Sequence, residues 1–91
     1  MNDRVDNGML REVFLQAGVS PAVVARECGW LKGDRWGSGD GSRVLRCLGV
    51  KPFYTYHRGV RGNSLYRRTL AYDDAVRIAR AVGVDPVDAG V

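Results

Sequence analysis

Glycine closes an apolar helical period four times in this chain, and that punctuation restricts it to short helices. Leu10, Val13, Phe14 and Ala17 recur at helical spacing and stop at Gly18, giving a first helix from Met9 to Ala17. Ser20 and Pro21 open a second as N-cap and first helical residue, and Val24, Ala25 and Cys28 form its inward stripe before Gly29. Asp40 or Ser42 caps a third, whose apolar positions Val44, Leu45 and Leu48 end at Gly49 and Pro52. The clearest helix lies in YDDAVRIARAVGVDP, where Ala75, Val76, Ile78, Ala79 and Val82 share a face. Asp73 and Asp74 suit its positive end, and Arg77 and Arg80 lean towards its negative end. Gly83 followed by Val84 matches a Schellman stop, and Pro86 prevents continuation.

Between the helical segments the character differs. WLKGDRWGSGDG shows little periodicity and reads as a long loop. From Phe53 onwards, FYTYH and SLYRRTL are rich in aromatic, β-branched and arginine residues, and read as strands of a hairpin separated by the turn-like RGVRGN. The expected architecture is mainly α: one domain over residues 1–91, about four helices, and a wing-like β-hairpin between the third and last. With 91 residues the chain has room for one modest core.

No stretch reaches the roughly 18 to 20 apolar residues of a membrane span, and MNDRVDNGML lacks the basic start and apolar run of a secretory signal. A cytoplasmic protein with reduced cysteines is expected. Cys28 and Cys47 each sit on a helical apolar face with no further Cys or His at metal-ligand spacing, and His57 is the one histidine. Buried free thiols are the expectation, with no metal, cofactor or small-molecule ligand.

The formal net charge of +4 is unevenly placed. Residues 32 to 68 hold nine basic side chains against two acidic ones, a net of +7, whereas the flanking segments carry −1 and −2. Seven of those nine cations are arginine, suited to bidentate contacts with phosphate or guanine. A polyanion partner follows from this segregation. Tryptophans 30 and 36 read as packing anchors rather than base-stacking platforms.

Enzymatic readings fare poorly. RWGSGDGS lacks the GK[ST] ending of a P-loop and the GxGxxG of a dinucleotide site, and Asp40 would oppose a bound anion. Ser38, Ser42 or Cys47 as nucleophile would need His57 as base, with no orienting pattern nearby.

Helix, short turn, a second helix opening on Ser20-Pro21, and the spacing Ala25-x-x-x-Gly29 resemble the first half of a helix-turn-helix. DDAVRIARAVGVDPVD looks like the closing helix of the phage-repressor family, the lambda repressor, Cro or Xre type, whose members often end on Ile-Ala-x-Ala-Leu-Gly-Val-x-Pro. Together with GDGSRVLRCLGV, the chain is similar to small DNA-binding regulators of actinobacterial phages. It departs from that pattern between Gly29 and Val44, which are 15 positions apart where the compact motif has only a few. A second register makes SRVLRCLGV the supporting helix and KPFYTYHRG the reading segment; FYTYH suits a strand better, so the first register is preferred.

The resemblance implies a sequence-specific binder of double-stranded DNA acting by operator occupancy, non-enzymatic, with room for a homodimer through the tail VDPVDAGV or the hairpin. Ser42 near a helix start offers a phosphate contact, and Arg43 and Arg46 reach base edges. Lys32, Arg35 and Lys51 extend the basic surface. Tyr54, Tyr56, Arg58, Arg61, Asn63, Arg67 and Arg68 interleave aromatic and basic groups as a second footprint on the hairpin. The alternatives are an excisionase-like architectural DNA binder, or an antirepressor-like module docking on a protein through the hairpin.

Overall fold

Small residues recur at buried positions of two helices. The computed structural model describes residues 3–30 and 41–91. In it α1 (Gly8–Ala17), α2 (Pro21–Glu27), α3 (Ser42–Leu48) and α4 (Tyr72–Val82) surround one apolar core. Ala25 on α2 and Ala75 and Ala79 on α4 are buried, and those two helices pack on each other. Leu10, Leu48, Leu70 and Ile78 are fully buried, and each contributes about 1.5–3 kcal/mol by leaving water. Trp30 is also buried, as the reading of a packing anchor requires. Trp36 lies outside the described residues.

The stop signals act as the sequence indicates at most helix ends. Gly18, Gly49 and Gly83 all take left-handed backbone at a C-cap, and Val84 N–H reaches back to the Ala79 carbonyl at 3.0 Å, which completes the Schellman stop of α4. The start of α3 differs from expectation. Its N-cap is Gly41 (φ +82), Ser42 is already the first helical residue, and Asp40 lies outside the described residues. A Cβ at Gly41 would sit 2.4 Å from the Pro21 carbonyl carbon, so α3 begins in direct backbone contact with the first turn of α2. Only a residue without a side chain permits that approach.

The segment VDPVDAGV is not an exposed tail. Asp85 Oδ1 accepts from Val87 N–H at 2.9 Å, Pro86 takes the first helical position, and Pro86–Ala89 coils into a 3-10 turn. Ala89 is fully buried and Val91 packs against the core, so this end is folded onto α1 and α4.

The strands also depart from the expected pattern. The hairpin consists of β2 (Phe53–His57) and β3 (Val60–Leu65), and its turn is two residues long rather than the whole of RGVRGN. Arg58 and Gly59 both have positive φ (53° and 78°), as a two-residue hairpin turn of type I′ requires. Pairing runs Phe53 to Leu65 and Tyr54 to Ser64, then shifts to Tyr56 with Arg61 and His57 with Val60. Gly62 and Asn63 therefore share the place opposite Thr55, a bulge in which the second glycine of RGVRGN is absorbed.

SLYRRTL is not one strand. β3 ends at Leu65, and Thr69–Ala71 forms a separate β4 paired antiparallel with β1 (Arg4–Asp6), a strand that sequence reading did not anticipate. RVD is too short to show alternation; it becomes a strand because Val5 faces Leu70 across the ladder and Leu70 is buried in the core. Four helices and a protruding hairpin thus give a small, mainly α domain among the described residues. No helix among them is long and apolar enough to cross a membrane.

Candidate nucleic-acid interface

From residue 41 to residue 72 the chain carries seven cations, Arg43, Arg46, Lys51, Arg58, Arg61, Arg67 and Arg68, and no acidic side chain. That run spans α3, the hairpin and the return to β4. β2 and β3 pack chiefly on each other, so the hairpin projects from the helical body. Lys51, Tyr54, Arg58, Asn63, Arg67 and Arg68 are all exposed, and Val60 and Tyr66 are 67% and 59% exposed. Lys32 and Arg35 lie outside the described residues, as do the side chains of Tyr56 and Arg61.

α3 is short because its period runs only from Val44 to Leu48 before Gly49, and burying Val44, Cys47 and Leu48 turns Arg43 and Arg46 outward. The two arginines differ. The Arg43 guanidinium carbon lies 4.2 Å from the centre of the Trp30 ring, and its Nη2 is 3.8 Å from Asp74 Oδ1. Its side chain nevertheless remains 52% exposed. Trp30 and Asp74 thus fix a cation whose outer edge still faces solvent. Arg46 is exposed in the last turn of α3. Ser42 is 4% exposed, so its hydroxyl is not on the outer face of α3 with the two arginines.

Residues outside the expected set hold this surface in register. Asn7 is 1% exposed, and its Nδ2 donates at 2.9 Å to both the Cys47 and Arg67 carbonyls. Its own N–H donates to the Arg68 carbonyl at 3.0 Å. Arg11 Nη1 donates to the Leu48 carbonyl at 3.1 Å and to Asn7 Oδ1 at 3.4 Å. The end of α3 and the segment leaving the hairpin are therefore tied to one buried amide. Gly49 completes the joint, because a Cβ there would stand 2.4 Å from the Arg67 carbonyl oxygen. In the sequence, Asn7 reads only as a residue before a helix; nothing local signals a bridge to positions 40 and 60 residues away.

Both thiols are free and buried. Burial pushes Cys28 up to about 11, and the same cause, with Asp74 next, raises Cys47. They are core residues, weakly nucleophilic at neutral pH. Among the described residues no group of three or more His, Cys, Asp or Glu side chains is placed to hold a metal ion. No protein-family model, curated protein or solved structure matches the chain.

Proposed function

We propose that the protein is a sequence-specific double-stranded DNA-binding regulator that acts by occupying its operator. The observation that carries this reading is the acid-free run of seven cations shared by an exposed helix face and a projecting hairpin. α2 and α3 serve as a helix-turn-helix with an enlarged connection, and α3 enters the major groove. Arg46 reads a base edge, guanine being the favoured partner of arginine. Arg43, steadied by Trp30 and Asp74, contacts an edge or the adjacent phosphate. The hairpin acts as a wing, laying Tyr54, Arg58, Arg67 and Arg68 along the flanking backbone or minor groove. Binding excludes other proteins from the site, and no chemical step is needed.

Labelled duplex fragments titrated at several salt concentrations test the reading. Affinity that falls steeply with salt, together with a preferred sequence, supports it; no duplex binding even at low salt rejects it. The exposed apolar side chains of Val60, Leu65 and Tyr66 favour one second reading, a protein-docking hairpin that accepts a partner strand. In that case capture of one partner protein would be insensitive to the arginines of α3.

A further inference from the structure

We infer that the junction of β4 with the hairpin forms a phosphodiester-binding cleft in which Arg4, supplied by β1, is a preorganised cation. The natural ligand, the backbone of a DNA duplex, rests on the reading above; the cleft itself rests on geometry. Arg4 Nε donates to Thr69 Oγ1 and Arg4 Nη2 to the Thr69 carbonyl, both at 3.0 Å. Two of the five guanidinium N–H groups thereby fix the fork against β4, and the other three remain to bind a ligand. An arginine already held in this way loses less rotamer freedom on binding than one on a free stem.

Arg4 opens into a cleft of about 380 Å3 that it shares with Leu65, Tyr66, Arg67, Arg68 and Thr69. Among the described residues three arginines and an exposed tyrosine line it, and no carboxylate does. Asp6, which stands opposite Thr69 on the same face of β1 as Arg4, accepts from Gly8 N–H at 3.0 Å through Oδ2 and makes no ion pair with Arg4. A concave site lined by arginines, with the Arg4 fork already fixed, suits the single negative charge of a phosphodiester, and the tyrosine ring offers a flat face to an adjoining sugar or base. The cleft also continues the acid-free run, because Arg67 and Arg68 belong to both. Pairing with β4 thus brings one cation of the N-terminal segment, which is otherwise net acidic, into the basic surface.

The test compares Arg4→Gln with the unaltered protein on a preferred duplex and an unrelated one over a range of salt. The expected result is an equal loss of affinity for both duplexes and a log–log salt slope shallower by about 0.9, the share of one phosphate. An unchanged slope in a variant that melts like the parent overturns the assignment, and shows that Arg4 only staples β1 to β4. Pyrophosphate titrated into the unaltered protein, followed by the Arg4 Nε–H and Thr69 amide resonances, decides the matter if the variant melts early. Displacement of both resonances supports the cleft, and displacement of neither overturns it. Should the unaltered protein bind no duplex, the DNA reading fails while the pyrophosphate result still decides the anion site. An acidic peptide that moves these resonances where pyrophosphate does not would likewise overturn the phosphodiester assignment.

Discussion

The Asn7 side-chain amide donates at 2.9 Å to the Arg67 carbonyl, joining the start of α1 to the point where the chain leaves the hairpin. The second N–H of that amide holds the Cys47 carbonyl in the last turn of α3. Replacing Asn7 by alanine strands the buried Cys47 carbonyl and removes the part-buried bond to the Arg67 carbonyl, at a cost of about 1–3 kcal/mol. Urea unfolding of Asn7→Ala is expected to show a lower midpoint with an unchanged slope.

Glycine substitutions separate backbone conformation from crowding. Gly18 and Gly49 have similar left-handed φ values of +66° and +74°, but a Cβ at Gly18 meets nothing within 4 Å whereas one at Gly49 meets the Arg67 carbonyl oxygen at 2.4 Å. Gly18→Ala is expected to cost about 1 kcal/mol. Gly49→Ala is expected to cost more than about 2 kcal/mol, because the joint between α3 and the hairpin exit has to open as well. Thermal melts of the two variants side by side check the order.

The two arginines of α3 are expected to behave differently. Arg43→Ala loses its stacking on Trp30 and a partly screened pair with Asp74, lowering stability by about 0.5–1.5 kcal/mol and altering tryptophan fluorescence. Arg46→Ala leaves the melt unchanged. On DNA it reduces discrimination between a preferred and an altered site by about 1–3 kcal/mol, whereas Arg68→Ala weakens binding to every sequence alike. Competition binding with single-base variants of the site distinguishes the two patterns.

Stability is expected to fall above pH 9. Cys28 ionises near its ordinary 9.0 in the unfolded chain but at about 11 when buried, so between those values the unfolded state gives up a proton that the folded state keeps. The contribution is complete below pH 9 and is lost as pH rises towards 11; Cys47, raised in the same direction, adds to it. Denaturation midpoints at pH 8 and pH 10.5, compared between the parent and Cys28→Ala, test this. The alkaline loss should shrink in the variant.

Helix positions were the most readable part of the sequence, because each is encoded locally by an apolar period and a glycine that can take left-handed backbone. β1 was not readable, since three residues carry no periodicity and the strand exists only opposite Thr69–Ala71. The exact hairpin turn is hidden in the sequence for a related reason. RGVRGN contains two glycines, and sequence does not say that the first makes the turn while the second enters a bulge. Of the candidate surface, its charge and the outward set of Arg43 and Arg46 were legible from spacing. The burial of Ser42 was not, because it follows from Gly41 lying directly on Pro21. The roles of Asn7 and Arg4 carry no local signal, because their partners are 40 to 65 residues away.

The pairing of β1 with β4 also bears on how the molecule is made. During synthesis β1 leaves the ribosome long before its partner, because Val5 and Leu70, which face each other across the ladder, are separated by 65 positions of chain. The hairpin can zip up earlier, on its own two-residue turn. A nascent chain therefore displays its basic arm before the body that orients it exists, and orientation arrives only when β4 and α4 dock.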